Sequence, residues 1–264
     1  MRREEARAVI DSRAIIDPSA KLADDVEVGP WSIIGPNVEI GKGSVIQSHV
    51  VIKANTIMGE GNQVYQFASV GEDPADKKFE GEDTWLKIGN NNIIREGVTL
   101  HRGTGSGGNW TRIGDNNLFM AYVHVAHDCI VGNNTVFANN AGISGHAEIG
   151  DWAILGGFAG VNQFRKIGEH AMVGGMTHIA HDVPACVIVS GSPASVRSVN
   201  MVGLERRGYS AEQIRAIRQA FKVVYKKGLQ LQEAIVELKA MVADHPEIDP
   251  FLQSILAATK GIHR

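Results

Sequence analysis

Only two cysteines, Cys129 and Cys186, occur in this chain of 264 residues, too few for a disulfide framework and in keeping with a reducing compartment. No apolar run is long enough to span a membrane, and the opening stretch MRREEARAVIDS lacks the hydrophobic segment of a secretion signal. The expectation is a cytoplasmic protein without membrane insertion. Charge of one sign is also missing: the formal net charge is -3, so no broad basic field exists and nucleic acid is not an expected partner. An anionic ligand must be met by local cations. Aromatic residues make up 6% of the chain, while glycine reaches 30 residues. That balance suits thin, tightly turning coils better than a bulky layered core.

What is present is a period of six. Aliphatic residues recur at Ile16, Leu22, Val28, Ile34, Ile40, Ile46, Ile52, Met58, Val64 and Val70, return at Ile88, Ile94 and Leu100, and after a one-residue shift run from Ile113 to Ile179. Four residues after most anchors stands a small or β-branched residue, among them Val26, Ser32, Val38, Val50, Val123, Ala141, Ala147 and Ala159. One large and one small inward side chain per six residues is the hexapeptide signature of a parallel β-helix, three short strands to each triangular coil. Residues eighteen apart then stack on neighbouring coils. The expected fold is mainly β, a parallel β-helix over residues 9–190, followed by an α-helical domain over 191–264.

Two stretches break the period. Continuing the register through 71–87 would bury Asp76 and Glu82, a cost of several kcal/mol for an unpaired carboxylate, so this stretch is expected to loop out. The Gly-rich stretch 101–112, HRGTGSGGNWTR, accounts for the register shift. Beyond residue 190 the spacing becomes helical: Ser210 and Gln213 form a capping box before the stripe Ile214, Ile217, Phe221, Val224 and Tyr225, which Gly228 ends. Further helical runs are expected at 231–243 and 250–260.

The repeat arithmetic also gathers chemistry. His127, Gly145 and Gln163 each lie two residues past stacked anchors, His101 lies one past its own, and His146 stacks on Asp128. These side chains, with His124, form an outward strip. One reading is a general base at His127, oriented by Asp128; another is that polar residues merely occupy outward positions. A zinc site of the kind seen in gamma-class carbonic anhydrases is a third, weakened because no third ligand is evident beside His124 and His127. Cys129 falls at an inward small position and reads as packing.

The stretches QFASVGED, IREGVTLHRGT, HVAHDCIVGNN, FANNAG, MVGG and VGLERRGYS resemble the UDP-N-acetylglucosamine O-acyltransferases of lipid A synthesis, and the similarity runs from about Val9 to the last residue. The resemblance implies a homotrimer of left-handed β-helices with sites in the clefts between subunits. It implies transfer of a 3-hydroxyacyl chain from acyl carrier protein to the 3-hydroxyl of UDP-N-acetylglucosamine, the first step of lipid A synthesis, with no cofactor and no metal. His127 would be the base, Asp128 its support, and the amide of Gly145 the oxyanion donor. Asp76, Lys78, His101, His124, His146, Gln163 and Asn200 would surround the sugar nucleotide and acyl group. Arg206 and Arg207 would meet diphosphate and phosphopantetheine, and Gly175 would leave the acyl groove open to long chains.

Three positions depart from the family pattern: Ala75 replaces a side-chain amide, Asn162 a histidine and Val202 an acid. These departures hold open an acceptor sugar with a 3-amino group. The related N-acyltransferase two steps later is disfavoured, because the repeat begins near Ile16 and leaves no room for that enzyme's N-terminal domain.

Overall fold

A computed structural model describes residues 9–264; most of the charged opening stretch, residues 1–8, lies outside them. Short parallel strands, two to four residues each through most of the coil, build three sheets that form the faces of a triangular prism. Sheet A contains the anchors Val28, Ile46 and Val64, sheet B contains Ile34, Ile52 and Val70, and sheet C contains Ile40, Met58 and Ile88. Partners stand eighteen apart, as in Val28 with Ile46 and Ile34 with Ile52.

The two interruptions alter that register. Val64 pairs with Ile94 and Val70 with Leu100, thirty apart, so twelve residues are extruded between strands Ser69–Glu72 and Trp85–Ile88. Leu100 pairs with Val125, twenty-five apart, seven more than a plain coil, and residues 102–109 loop out between Thr99–His101 and Trp110–Ile113. Stacking of Trp85 on Trp110, ring centroids 5.7 Å apart, ties the bases of the two loops together.

Anchors from Val28 to Ile179 are at most 4% exposed, and the small positions are equally buried. Ile16 and Leu22 are only partly covered in the first coils. Three further inward positions hold asparagines, which the hydrophobic pattern does not reveal. The side-chain oxygen of Asn62 accepts from the backbone N–H of Asn92, that of Asn92 from Asn117, and that of Asn117 from Thr135. Each buried carboxamide is satisfied by the next coil.

From Trp31 onward, most corners turn through a residue in the left-handed region. The A-to-B corner uses Trp31, His49, Phe67, Tyr122, Phe158 and Met176, with φ between 56° and 65°. The B-to-C corner uses Asp128, His146 and Phe164, and the C-to-A corner uses Trp152 and His170. The conformation costs a non-glycine residue on the order of 1–2 kcal/mol, offset by the ladder bonds that each closed coil makes possible.

The sheet continues beyond residue 190, further than the helical domain boundary expected from the sequence. Val187–Ser190 and Ser195–Val199 pair antiparallel and extend sheet A, and the first helix, α1, begins at Met201 and runs to Arg206. The capping box of Ser210 and Gln213 opens α2, Ala211–Tyr225, which buries Ile217, Ala220, Phe221 and Val224. α3 spans Leu231–Asp244, and α4 spans Asp249–Leu256, ending four residues before the expected stop. The tail then returns to the coil, where the N–H of His263 donates to the carbonyl of Asp182 at 2.9 Å and Lys260 Nζ lies 5.8 Å from the Phe164 ring.

Candidate active site

His127 and Asp128 sit where sheet B turns into sheet C. Asp128 occupies the left-handed corner, φ 59°, and its backbone N–H donates to Thr111 Oγ1 at 2.8 Å, fixing the turn. Its carboxylate takes His127 Nδ1 at 2.7 Å, the Thr104 hydroxyl at 2.7 Å and the Thr104 N–H at 2.8 Å. Only 1% of the Asp128 side chain is exposed. The repeat phase predicted an outward carboxylate; the loop 102–109 folds over it and makes it interior. A Cβ at Gly107 would lie about 2 Å from the Asp128 carboxylate, so the loop passes this close only because residue 107 lacks a side chain. Burial alone would push the Asp128 pKa up, but the bonds from His127 and Thr104 outweigh it and the net shift is downward. With the carboxylate ionised, Nδ1 of His127 carries the proton that it shares with Asp128, and Nε2 is left as an acceptor.

The His127 ring lines a cavity of about 590 Å³ together with Ala75, His124, Gly142, Gly145, Asn162 and Gln163. Gly145 stacks one coil beyond His127, and a Cβ there would lie 2.5 Å from the imidazole Cε1. Glycine is thus required to seat the base, a reason the sequence alone did not supply. The Gly145 N–H has no acceptor among the described residues, while its carbonyl takes the N–H of Phe164 at 3.1 Å.

Other histidines close the wall. His146 Nε2 lies 3.6 Å from Asp128 Oδ2, as eighteen-residue stacking predicts, and its ring lies on Phe164 with centroids 4.4 Å apart. His124 Nδ1 meets Thr99 Oγ1 at 2.7 Å, and its ring stands edge-on to His101 at 4.9 Å. Burial, followed by the neighbouring His124, lowers the His101 pKa to about 4, and burial followed by His127 lowers that of His124. Both are neutral near pH 7.

His127, Asp128 and His146 also offer three ligand atoms within 4.8 Å of one another, a donor set different from the His124 and His127 pair that the sequence suggested. The Asp128 oxygens, however, are directed at the imidazole and at Thr104. Cys129 is buried, its Sγ donates to the Ser144 carbonyl at 3.2 Å, and burial pushes the thiol to about 12. It packs and is not available as a thiolate.

The remaining sequence candidates lie elsewhere in the chain. Asp76 and Lys78 stand in the twelve-residue loop, where Asp76 Oδ1 accepts the N–H of Lys78 at 3.0 Å; it is neighbouring Ala75 that reaches the cavity. Gly175 lies at the A-to-B corner. Asn200 is buried, caps α1 and donates Nδ2 to the His170 carbonyl at 2.9 Å. Arg206 is exposed in the last turn of α1, and the Arg207 guanidinium lies over Trp152 at 5.1 Å, beside the C-to-A corner. Nε and Nη1 of Arg207 are buried without a partner among the described residues. One chain therefore gathers His101, His124, His127, Asp128, Gly145, His146 and Gln163, and leaves Gly175 at the A-to-B corner, Asn200 and Arg207 beside the C-to-A corner and Arg206 exposed on α1.

A family model described as UDP N-acetylglucosamine O-acyltransferase, domain 2, matches residues 182–263, and bacterial transferase hexapeptide repeats match 7–42, 19–54 and 111–145. A protein of Stutzerimonas stutzeri named acyl-[acyl-carrier-protein]--UDP-N-acetylglucosamine O-acyltransferase is 55% identical, over 97% of this chain and 100% of its own. The chain belongs to the UDP-N-acetylglucosamine O-acyltransferase family. The solved acyltransferase of Moraxella catarrhalis superposes with a TM-score of 0.95 at 46% identity, covering 97% of this chain and 99% of that one. The Arabidopsis UDP-N-acetylglucosamine acyltransferase does so at 0.86 and 31%, covering 97% and 100%. The coil is accordingly the left-handed parallel β-helix of these acyltransferases, followed by C-terminal helices. Among the described residues, no helix is long and apolar enough to cross a membrane.

Proposed function

We propose that this acyltransferase moves an (R)-3-hydroxyacyl chain from acyl carrier protein to the 3-hydroxyl of UDP-N-acetylglucosamine, the first step of lipid A synthesis. The observation that carries the reading is the His127–Asp128 pair at 2.7 Å, on a cavity wall where the next coil presents the Gly145 N–H, which has no acceptor among the described residues. His127 Nε2 takes the proton of the sugar hydroxyl as its oxygen attacks the thioester carbonyl. The oxyanion of the tetrahedral intermediate accepts a hydrogen bond from Gly145. Collapse expels the carrier's phosphopantetheine thiolate, which recovers the proton from the imidazolium, and the sugar keeps the acyl ester. Buried Asp128 stabilises the imidazolium and fixes the tautomer. No cofactor enters, since the chain arrives activated as a thioester.

We further infer a homotrimer acting in the cytoplasm. Trp31, Phe67, Tyr122, Phe158 and Met176 form an exposed apolar ridge along the A-to-B corner, the kind of surface that another protein copy covers. A threefold assembly sets the corners of different copies against one another, giving Gly175, Arg206 and Arg207 a route to the cavity of a neighbour. At Gly175 an added Cβ would meet only the backbone of Gly157, at 3.2 Å and beyond, which leaves a groove there open to a long acyl chain.

The test is mass spectrometry of products formed from UDP-N-acetylglucosamine and its 3-amino analogue, with a mixed pool of 3-hydroxyacyl carrier proteins. A 3-O-ester formed by wild type and lost in His127→Ala is expected. An amide as sole product, or full activity in His127→Ala, would overturn the reading.

A further inference from the structure

One histidine near the cavity has no place in the chemistry above. Along sheet B the outward positions stack as Thr99, His124, Gly142, Gly160 and His178. Two glycines thus lie between two imidazoles. A Cβ at Gly142 would meet only His124 Cβ, and one at Gly160 only His178 Cδ2, each at 4.0 Å. The result is a trough with a backbone floor and a histidine wall at each end. Its His124 end, with Gly142, belongs to the cavity of the base. Its far wall, His178, also lines a second hollow of about 450 Å³ with His181, His263 and Arg264.

The far wall touches the site through one bond: His178 Nε2 lies 2.8 Å from Asn162 Oδ1, and Asn162 lines the cavity beside Gln163. An imidazole N–H donating to this oxygen settles which way the carboxamide faces. Both N–H groups of Asn162 Nδ2 then remain without a partner among the described residues. Without His178, an exposed carboxamide can present either its oxygen or its nitrogen to the cavity.

We propose that His178 is a positioning residue for the acceptor: by holding Asn162 Oδ1 it turns the Asn162 N–H donors toward an oxygen of the sugar nucleotide bound beside His127. The role rests on the acyl-transfer reading of that cavity and adds a specificity contact to it. Asn162, which departs from the family pattern, and His178, sixteen residues later, form one unit. His178 touches no reacting atom, so its effect is on acceptor binding and passes entirely through Asn162.

A double-mutant cycle tests this, with initial rates measured against UDP-N-acetylglucosamine at saturating acyl carrier protein. His178→Ala should raise the acceptor KM roughly three- to tenfold, the value of one hydrogen bond, with kcat changed less than twofold. His178→Gln, whose side-chain amide still donates to Asn162, should recover most of the loss. In an Asn162→Ala background, His178→Ala should change nothing further. An equal effect in both backgrounds, a Gln variant no better than Ala, or a loss confined to kcat would overturn the proposal. Because both residues are exposed, unchanged melting temperatures verify the fold, and Asn162→Ala alone must reproduce the His178→Ala defect. Retained activity in His127→Ala would instead remove the acyl-transfer reading, so the two failures are distinguishable.

Discussion

The coils before Val64 and the coils after it are built from the same six-residue unit, yet only the second set carries the constellation of interacting histidines. In the first set the register is unbroken, and His49 at its corner is flanked by Trp31 and Phe67, with no carboxylate bound to its ring among the described residues. In the second set two extrusions bring foreign chain across the coil, and one of them roofs Asp128 with Thr104. A regular solenoid can stack side chains but cannot cover them. Burial of a charged pair against the outside of a coil requires leaving the repeat.

The largest expected effect sharpens this contrast. His127→Ala should lower kcat by roughly 100- to 10,000-fold, the usual worth of a general base, while His49→Ala at a plain corner leaves kcat unchanged; steady-state rates on verified oligomers decide it. A change of comparable energy but different kind belongs to the unbroken coils. Ile52→Ala should destabilise the fold by about 2–5 kcal/mol, seen as a lower midpoint in chemical denaturation with kcat per folded molecule retained. If that variant instead lost activity while fully folded, the division between scaffold coils and chemical coils would fail.

Thr104→Ala breaks the contrast by opening the roof. It removes a hydroxyl donor from a buried carboxylate, a loss of about 1–3 kcal/mol, and should cut kcat roughly 10- to 100-fold. Thr104→Ser should restore most of it. A further effect is on pH. Burial lowers His101 and His170 to about 4 from the ordinary 6.5, so on acidification the unfolded chain takes up these protons before the folded one. Stability should therefore fall as pH drops from about 6.5 toward 4 and owe nothing to these groups above that window. Melting curves across the range should flatten in His101→Asn and His170→Asn.

Much of this was legible in the sequence because the repeat converts position into direction. Anchors, small inward residues, the two extruded loops, the capped helix α2 and the stack of His146 on Asp128 all follow from counting. Counting fails where contacts come from outside the period. Nothing in the spacing says that Thr104 reaches Asp128, twenty-four residues on, or that Gly145 is needed to clear the His127 ring. Asn62, Asn92 and Asn117 escaped notice for another reason: a hydrophobic pattern takes a polar residue as outward, whereas a ladder of carboxamides satisfies itself inside. The strand at 195–199 was hidden because it pairs antiparallel, as a hairpin that the six-residue period does not govern.

The fixed register has a consequence for how such a molecule can measure. Neighbouring coils are separated by one strand spacing, about 4.8 Å, and equivalent side chains can stand only on these rungs. From His127, a group on the same line of the prism is one rung away at Gly145 or two at Gln163, and no substitution places it between. Any length that the protein reads along its axis is therefore graduated: replacing a residue moves a stop by a whole coil, and finer settings come only from the reach of the side chain that stands on the rung.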